Sequence, residues 1–447
     1  MIKKVLIANR GEIAVRIIRA CREMGIATVA VYSKGDEGAF HAQLADEAVC
    51  IGPAALSESY LDTYRILSAA EATGCDAIHP GYGFLSENSK FVRMCIKCGR
   101  KFIGPSPEAM ELMGDKLAAR RLMQEHGVPI IPGTTEALAD ADDAKRIASE
   151  LGYPVMIKAS AGGGGRGIRR VEDESQMVQS FESARVEAEA AFGDGTLYME
   201  KCIVDGRHLE VQVLADNYGN AVHLFERECS LQRRNQKIME EAPSCCLTDE
   251  RRMEMGEAAI RAVKAAGYTN AGTIEFLVSG GDYYFMELNA RIQVEHPVTE
   301  MATGIDIVKE QILIASGERM TLLQDDVHLL GHAIECRINA EDPDNGFRPS
   351  VGTIKMMHIP GGPGVRFDTM IYNGYTIPPY FDSMIGKLVC MDSTREAAMA
   401  KMRCALTEMV IDGVDTNIDF QLDLLTNKKV LRGELDTGLV ERIMKER

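Results

Sequence analysis

The fold of this chain is decided most clearly by the stretch Thr273-Ile-Glu-Phe-Leu-Val-Ser-Gly-Gly-Asp-Tyr-Tyr-Phe-Met-Glu-Leu-Asn-Ala-Arg-Ile-Gln-Val-Glu295. Two runs rich in β-branched and aromatic residues flank Gly280-Gly281, and this pattern predicts a β-hairpin. A three-residue loop, Gly280 to Asp282, would place Glu275 directly opposite Glu287, with Cβ atoms about 5 Å apart. A two-residue turn would shift that register, so the pairing depends on the loop length.

The carboxylates of Glu275 and Glu287 would repel each other at that distance, so keeping both ionised requires a nearby cation. Oxygen ligands suit Mg²⁺ or Mn²⁺ better than zinc, and the side-chain carbonyl of Asn289 would add a further oxygen. The hairpin therefore predicts a divalent-metal site formed by these residues. The alternative is a pair of carboxylates on a solvated sheet face.

A row of polar side chains continues beyond the hairpin. Every second position is polar in the series Glu287, Asn289, Arg291, Gln293 and Glu295. In an extended chain these side chains share one face, while the apolar residues between them face a core. Burying such a polar face without partners is costly, so the alternation predicts a polar row that lines a cleft.

The chain divides into three predicted domains, and the first, residues 1–114, alternates strand and helix. An apolar run at 4–8 precedes a helical pattern at 11–24, and further strand-like runs lie at 28–32 and 76–79. This βαβ rhythm predicts an α/β domain with a doubly wound parallel sheet.

The second predicted domain covers residues 115–330 and the third covers 331–447. Within the second, Pro129 and Pro132 predict a hinge, because proline fixes φ and interrupts helices. The third domain mixes short strands with a helix, so the chain as a whole combines α/β with α+β architecture.

A glycine run, Gly162-Gly-Gly-Gly-Arg-Gly167, follows Lys158 at the end of an apolar strand. Consecutive glycines allow backbone N–H groups to approach a polyphosphate closely. The run lacks the Gly-Lys-Ser/Thr of a Walker loop and the strand-to-helix setting of a dinucleotide fingerprint. With Lys158 as its cation, and Lys116 as a second candidate, it predicts a nucleotide clamp. The alternative is a flexible surface hairpin.

The formal net charge of −16 argues against nucleic acid as the main partner, because binding its backbone requires excess Lys and Arg. No apolar run reaches the roughly 18 residues of a membrane span, and residues 1–8 lack the layout of a cleavable signal. We therefore expect a cytoplasmic protein that binds neither nucleic acid nor membrane. The twelve cysteines lack the spacing of a zinc site, and reduced thiols are expected.

Distinct motifs follow one another along nearly the whole chain: Lys4-Val-Leu-Ile-Ala-Asn-Arg-Gly-Glu-Ile-Ala-Val-Arg16, His79-Pro-Gly-Tyr-Gly-Phe-Leu-Ser-Glu-Asn88, Lys158-Ala-Ser-Ala-Gly-Gly-Gly-Gly-Arg-Gly167, Met286-Glu-Leu-Asn-Ala-Arg-Ile-Gln-Val-Glu-His-Pro-Val-Thr-Glu300 and Glu335-Cys-Arg-Ile-Asn-Ala-Glu341. Together they resemble the motifs of the biotin carboxylases in the ATP-grasp superfamily. The resemblance implies an N-terminal pre-ATP-grasp domain, an ATP-grasp domain whose segment 131–203 closes as a lid over ATP, and a C-terminal biotin carboxylase domain. It also implies ATP-dependent carboxylation of biotin by bicarbonate, through carboxyphosphate.

The resemblance further implies roles for individual residues. The ATP-binding residues would be Lys116, Lys158, Gly163, Gly164, Gly165, Glu200, Lys201, Ile203, His208, Gln232, Asn235, Leu277, Glu275 and Glu287. Two Mg²⁺ or Mn²⁺ ions would bind to Glu275, Glu287 and Asn289. Bicarbonate would bind to Lys237, Arg291, Gln293, Val294 and Glu295, and biotin to Tyr82 and Arg337. The catalytic residues would be Lys237, Arg291, Glu295 as the base that deprotonates bicarbonate, and Arg337, which would stabilise the biotin enolate.

One residue departs from the family pattern. The family usually has His where this chain has Asn235, in the string Gln232-Arg-Arg-Asn-Gln-Lys237. Asn can hydrogen-bond a ribose or a phosphate, but it carries no charge. The resemblance therefore leaves the nucleotide affinity at this position open.

The biotin that this activity needs has no evident attachment point in the sequence. Attachment normally uses an Ala-Met-Lys-Met turn, whereas the nearest string, Ala398-Met-Ala-Lys-Met402, has another order and helical spacing. We therefore expect biotin as a substrate on a separate biotin carboxyl carrier protein, with carboxyltransferase subunits as further partners. Stand-alone members of the family are commonly homodimers. The final acceptor, whether acetyl-CoA, propionyl-CoA or pyruvate, stays open.

Two other functions are compatible with parts of this pattern. A different ATP-grasp ligase, of the carbamoyl-phosphate type, would share the metal carboxylates but is not expected to have the Arg291-to-Glu295 row together with Arg337. A catalytically inactive regulatory subunit would have lost at least one acid or cation of the set, and none is missing.

Overall fold

The computed structural model describes residues 1–161 and 167–446. Its N-terminal strands are β1 (Lys4–Ile7), β2 (Ala27–Ser33), β3 (Glu47–Gly52), β4 (Ala77–His79) and β5 (Lys101–Phe102). The helices between and after them are α1 (Gly11–Glu23), α2 (Phe40–Leu44), α3 (Thr63–Ala72), α4 (Ser89–Lys97) and α5 (Pro107–Gly114). The strands pair in parallel in the order β3-β2-β1-β4-β5, which confirms the predicted doubly wound sheet.

The middle region begins with a small unit that contains the segment following the predicted hinge. Its elements are α6 (Lys116–Glu125), α7 (Ala141–Leu151), β6 (Val155–Ala159), β7 (Ile168–Val171), α8 (Met177–Phe192) and β8 (Leu197–Lys201). The strands form an antiparallel sheet in the order β7-β6-β8, with its own apolar core against α7 and α8. The predicted phosphate-binding glycines, Gly163, Gly164 and Gly165, lie outside the described residues.

A larger antiparallel sheet follows and carries most of the chemistry-bearing side chains. It starts with β9 (Arg207–Ala215), β10 (Ala221–Arg233), β11 (Gln236–Ala242), β12 (Asn270–Ser279) and β13 (Asp282–Asn289). The helices of this part are α9 (Asp249–Ala265), which packs on β9 and β10, α10 (His296–Thr303) and α11 (Ile307–Ser316).

The same sheet continues into the C-terminal region. The strands there are β14 (His332–Asn339), β15 (Glu341–Asp342), β16 (Arg348–Pro349), β17 (Gly352–Thr353), β18 (Met356–His358), β19 (Val365–Thr369), β20 (Thr376–Ile377), β21 (Met384–Asp392) and β22 (Val410–Asp412). The helices are α12 (Arg395–Glu408), α13 (Ile418–Thr426), α14 (Lys428–Leu431) and α15 (Leu439–Glu446). The full order is β13-β12-β9-β10-β11-β14-β21-β19, so one sheet links the middle and C-terminal regions. None of the described helices is long and apolar enough to cross a lipid bilayer.

The β12–β13 hairpin corrects one detail of the prediction. Ser279 pairs with Asp282, so the loop has two residues, Gly280 and Gly281, and the predicted three-residue loop is wrong. Both glycines have positive φ, 61° and 91°, which this tight turn requires. Glu275 nevertheless faces Glu287, because a β-bulge shifts the register between Glu275 and Phe276 and restores the pairing.

The polar row is extended only in part. β13 ends at Asn289, and the chain then turns, with Glu295 in a turn conformation (φ −83°, ψ 14°) just before α10. The prediction that the chain stays extended as far as Glu295 is therefore wrong beyond Asn289. The residues predicted to face a core, Ala290 and Ile292, are buried, at 5% and 0% exposure.

A buried arginine ties the large sheet together. Arg227 on β10 is fully buried, and its guanidinium donates to Glu210 Oε1 at 2.6 Å and to Gln212 Oε1 at 2.8 Å on β9. It also donates to Thr273 Oγ1 on β12 at 3.0 Å and to Thr299 Oγ1 on α10 at 2.9 Å. One side chain therefore fixes three strands and the helix that follows the polar row.

Replacing Arg227 with Met should lower the free energy of unfolding by about 3–5 kcal/mol, because the buried carboxylate of Glu210 loses one of its two cationic partners. Urea denaturation followed by circular dichroism measures the loss. Arg146→Met is the matched control, since its ion pairs on α7 leave the side chain 61% exposed, and a change below about 0.5 kcal/mol is expected there. Equal losses in the two variants would contradict the role given to Arg227.

Candidate active site

The candidate site lies on one face of the large sheet, against the loop that joins β13 to α10. Adjacent or nearby strands contribute Lys237 from β11, Glu275 from β12 and Arg337 from β14, and the loop contributes Glu295. Antiparallel pairing brings these residues together although they are far apart along the chain.

The ammonium of Lys237 is the centre of this arrangement. Three carboxylates surround its Nζ atom: Glu210 Oε2 at 2.6 Å, Glu295 Oε1 at 2.5 Å and Glu275 Oε1 at 3.3 Å. All three acids are buried. Burial opposes the charged form of Lys237, but the surrounding anionic groups raise its pKa well above the ordinary value. Lys237 is therefore a fixed positive charge.

Glu295 has a cation on each of its carboxylate oxygens. Oε1 faces Lys237, and Oε2 accepts a hydrogen bond from Nη2 of Arg337 at 2.9 Å. Burial alone would raise the pKa of Glu295, but Lys237 and Arg337 hold that pKa well below the usual range. Glu295 is therefore ionised at neutral pH, and both of its oxygens are engaged.

The other side of Arg337 meets further acids. Its Nε donates to Glu240 Oε1 at 2.6 Å, and Glu335 lies directly opposite Glu240 across the β11–β14 pair. Both carboxylate oxygens of Glu335 are buried without a hydrogen-bond partner among the described residues. Burial raises the pKa of Glu335 well above its ordinary value, and Arg337 forms its ion pairs with Glu240 and Glu295.

Arg291 is oriented from three sides. Its Nη1 donates to Gln293 Oε1 at 2.7 Å, its Nη2 to Asn289 Oδ1 at 3.1 Å, and its Nε to Glu87 Oε2 at 3.1 Å. The second carboxylate oxygen of Glu87 accepts the backbone N–H of Ala290, also at 3.1 Å. Glu87 comes from the N-terminal region and holds both the guanidinium and the chain beside it.

The predicted metal ligands lie together at the end of the hairpin. Glu275 and Glu287 face each other across the strands, and each already has a side-chain nitrogen beside it. Nε2 of His208 lies 3.2 Å from Glu275 Oε2, and Nζ of Lys116 lies 3.1 Å from Glu287 Oε2. Burial alone would raise the pKa of Glu275, but nearby cations hold it below its usual range.

These donors fit a hard divalent cation. Glu275, Glu287 and Asn289 offer carboxylate and amide oxygens, and the side chain of Glu287 is 40% exposed, so the set is open to a ligand. Atoms of His208, Glu210 and Glu275 also lie within 4.8 Å of one another. In that second set the Lys237 ammonium already bridges the two carboxylates.

Ion pairs and a backbone hydrogen bond hold the residues of the small unit that are predicted to bind the nucleotide. Lys158 Nζ lies 2.5 Å from Glu200 Oε2, and Arg120 pairs with the other oxygen of the same carboxylate. Lys201 donates to the backbone carbonyl of Gly152 at 2.6 Å. Lys158 and Glu200 are therefore brought together, while the ammonium of Lys201 is engaged by the backbone.

Ile203 and Leu277 both lie beside Gly206. A Cβ atom at Gly206 would lie 2.8 Å from Leu277 Cδ1 and 3.4 Å from Ile203 Cγ2. Both side chains are half-buried, and Leu277 pairs with His208 across the β9–β12 register. These two apolar residues, both predicted to bind ATP, are thus neighbours, and the absence of a side chain at Gly206 lets the backbone approach them closely.

Asn235 occupies the turn between β10 and β11. It follows Arg234, and both have positive φ, 62° and 50°. Asn adopts this left-handed conformation more readily than most residues, which gives a backbone reason for Asn at this position. Its side chain is exposed, whereas Gln232 on β10 is buried and bonds His208 Nδ1 at 2.8 Å.

Tyr82, predicted to contact biotin, is fixed by an acid of the N-terminal region. Its hydroxyl donates to a carboxylate oxygen of Glu12, the second residue of α1. The same oxygen lies 3.0 Å from Nζ of Lys387 on β21. Tyr82 is half-buried, so part of the ring is accessible beside this pair.

The sequence reasoning did not single out Glu87, Glu210 or Glu240. Glu87 lies inside a quoted motif, but no spacing rule distinguished it from its neighbours. Glu210 could have been found, because His208, Glu210 and Gln212 place a polar residue at every second position of an otherwise apolar strand. Such a buried polar alternation is the same signal that identified the row after Glu287.

Comparison with known protein families matches nearly the whole chain. Residues 1–110 match the biotin carboxylase N-terminal domain, 115–323 match the ATP-binding domain of the carbamoyl-phosphate synthase L chain, and 335–442 match the biotin carboxylase C-terminal domain. The middle match carries the name of the carbamoyl-phosphate synthase L chain, whereas the two flanking matches carry the name of biotin carboxylase.

Full-length relatives agree with this assignment. Biotin carboxylase 1 of Bacillus subtilis is 55% identical over 443 residues, which cover 99% of this chain and 98% of the relative. The biotin carboxylase–β,γ-ATP complex from Campylobacter jejuni superposes with a TM-score of 0.96 at 50% identity, covering 99% of both chains.

A second solved structure is the biotin carboxylase domain dimer of 2-oxoglutarate carboxylase from Hydrogenobacter thermophilus, in complex with MgADP, ADP and bicarbonate. It superposes with a TM-score of 0.94 at 51% identity, and the match covers 99% of this chain and 98% of that one. Sequence, fold and site geometry therefore agree that the chain belongs to the biotin carboxylase family.

Proposed function

We propose that this protein uses ATP to carboxylate biotin on a separate carrier protein, with bicarbonate as the carboxyl source. The observation that carries the proposal is the convergence of Lys237, Arg291 and Arg337 on the Glu295 loop. Fixed cations around one buried carboxylate suit a small anion that must be held and deprotonated. This arrangement is typical of a reaction site rather than of a regulatory subunit.

Bicarbonate would bind beside Lys237, Arg291 and Gln293, with the backbone of Val294 completing the contact. Carboxylate and amide oxygens already hold these cations in place. An oxygen of the incoming anion can replace one of these partners, and no further side chain has to be ordered. The guanidinium of Arg291 presents a planar set of donors that matches a planar carbonate group.

Glu295 would act as the base. Its depressed pKa makes it a weak base while Lys237 and Arg337 engage both oxygens. An incoming bicarbonate takes up part of the positive charge of Lys237, and the basicity of Glu295 then rises. The general base is therefore strengthened by the arrival of its own substrate.

The nucleotide would lie between the small unit and the large sheet. Lys116 and Lys158 would contact phosphates, with His208, Gln232 and Asn235 near the phosphates or ribose. Glu200, Lys201, Ile203 and Leu277 would frame the adenine. Glu275, Glu287 and Asn289 would hold Mg²⁺ or Mn²⁺, whose chemistry is to neutralise phosphate charge during phosphoryl transfer.

The chemistry proceeds in balanced steps. Glu295 takes the proton of bicarbonate and later releases it to solvent, the resulting carbonate attacks the γ-phosphorus, the bond to ADP breaks, and carboxyphosphate forms. Carboxyphosphate releases CO₂ and phosphate, the phosphate takes the proton from a ureido nitrogen of biotin, and that nitrogen attacks CO₂. Arg337 stabilises the enolate of biotin, and Tyr82 positions its ring.

We propose three working units, residues 1–114, 115–330 and 331–447, with 131–203 as a lid over ATP. The separate core of the 131–203 unit and the two prolines at its start support a rigid-body closure.

A biotin carboxyl carrier protein would deliver the substrate, and carboxyltransferase subunits would consume the product. A homodimer is proposed by analogy with the Hydrogenobacter domain dimer. We also propose that the protein acts in the cytoplasm.

Glu295→Gln should lower kcat for bicarbonate-dependent ATP hydrolysis in the presence of biotin by about 10²- to 10⁴-fold, the usual contribution of a general base. A coupled assay for ADP, with bicarbonate and biotin each omitted in turn, measures the effect. Glu254→Gln on the exposed face of α9 is the control and should behave like the parent protein. Turnover that ignores bicarbonate and survives Glu295→Gln would refute the mechanism.

Glu287→Gln should weaken binding of the divalent ion with nucleotide by about tenfold or more, because one anionic oxygen is lost. Electron paramagnetic resonance of Mn²⁺, titrated in the presence of a non-hydrolysable ATP analogue, measures this directly. Glu257→Gln, elsewhere on the ATP-grasp region in α9, should leave the Mn²⁺ affinity unchanged. Equal Mn²⁺ affinity in the Glu287→Gln variant and the parent would remove Glu287 from the metal site.

Asn235→His should raise the affinity for ATP about threefold or more, because a charged imidazole bonds phosphate more strongly than an amide does. His also tolerates positive φ better than most residues, so the turn should survive. Isothermal titration calorimetry with the non-hydrolysable analogue gives the dissociation constant, and Asn235→Ala should change it in the opposite direction or not at all. Unchanged affinity in the His variant would mean that position 235 does not reach the nucleotide.

A further inference from the structure

Lys387 on β21 is a buried lysine that none of the proposed steps uses. Its side chain is 0% exposed, which is unusual for lysine. Its Nζ donates to the backbone carbonyl of Val294 at 2.7 Å and lies 3.0 Å from Glu12 Oε1. It therefore joins the C-terminal strand, the N-terminal helix α1 and the loop that carries the bicarbonate residues.

The neighbouring strand makes a matching contact. Arg337 on β14 is the direct partner of Lys387 across the β14–β21 pair, so the two side chains share one face of the sheet. Arg337 bonds the carboxylate of Glu295, while Lys387 bonds the carbonyl of the preceding residue, Val294. Two adjacent cations thus hold two successive residues of the same loop.

Glu12 fixes the position of Lys387. It lies in the first turn of α1, where the helix dipole favours a carboxylate, and it is only 4% exposed. One of its oxygens receives both the Lys387 ammonium and the hydroxyl of Tyr82. Neutralising Glu12 does not require Lys387 to bond the backbone carbonyl of Val294, so that second contact needs its own explanation.

We infer that Lys387 is a positioning residue for the turn at Gln293–Glu295, and that Glu12 anchors it there. The inference rests on the proposed function, because Val294 and Glu295 are the proposed bicarbonate contact and base. The carbonyl of Val294 and the N–H of Glu295 belong to one planar peptide unit. Holding that carbonyl therefore orients the backbone on both sides of it.

The test compares Lys387→Met with the parent protein. Met preserves the length and volume of the side chain but removes the ammonium. The KM for bicarbonate should rise at least tenfold, while the KM for ATP should change less than twofold. Backbone amides of residues 291–296 should exchange with deuterium at least tenfold faster, measured by mass spectrometry.

Two further variants separate positioning from stability. In Glu12→Gln/Lys387→Met the acid that pairs directly with Lys387 is removed as well, so the fold is relieved of that isolated charge, although Glu335 and Asp368 still lose a nearby cation and the bond to Val294 stays absent. This variant should regain thermal stability and keep the raised KM for bicarbonate. The control is Arg252→Met, which breaks a buried pair with Glu226 (3.0 Å) away from the loop and should lower stability without raising that KM.

The outcomes separate the two ideas. The inference is wrong if the KM for bicarbonate and the KM for ATP rise together in Lys387→Met and both return to the parent values when the double variant regains stability. Lys387 would then have only a structural role. If the loop exchanges no faster than in Arg252→Met, the inference is also wrong. If the parent protein shows no bicarbonate-dependent turnover, the proposed function fails, and the exchange comparison still decides whether Lys387 holds the turn.

Discussion

The rest of the site depends on the burial of the Lys237 ammonium among carboxylates of three different segments. A buried charge without partners costs several kcal/mol, so the ammonium and the carboxylates around it stabilise one another. Arg227 compensates Glu210 on the sheet side, and Arg337 compensates Glu295 on the loop side. The charges therefore alternate across the sheet, and each carboxylate oxygen of Glu295 already has a cationic partner.

Much of this could be predicted from the sequence because it follows from local periodicity. The βαβ rhythm predicted the N-terminal sheet, and the alternation after Glu287 predicted the polar residues that meet near Lys237. The hairpin shows the limit of such reasoning. Two glycines do not specify the loop length, and nothing in the sequence indicated a bulge beside Glu275. The loop length was wrong, and the predicted pairing held only because the bulge offset that error.

Contacts between distant segments could not be predicted. Glu87 is 203 positions from Ala290, and Lys387 is 93 positions from Val294, yet both contacts fix the loop around Arg291 and Glu295. A pattern rule sees neighbours within a few residues, whereas these contacts depend on how whole sheets pack. The continuation of one sheet from β11 to β14 was hidden for the same reason. The backbone reason for Asn at position 235 is its positive φ, which no pattern in the sequence indicated.

The loop that carries Glu295 and the unit at 131–203 are held by different sets of contacts. Every contact described above for Arg291, Val294 and Glu295 comes from the N-terminal region, the large sheet or the C-terminal region, and none comes from the unit at 131–203. That unit has its own core and carries Lys158 and Glu200. Under the proposed closure of the unit, the nucleotide contacts would change while the contacts that hold the anion-binding loop would be kept.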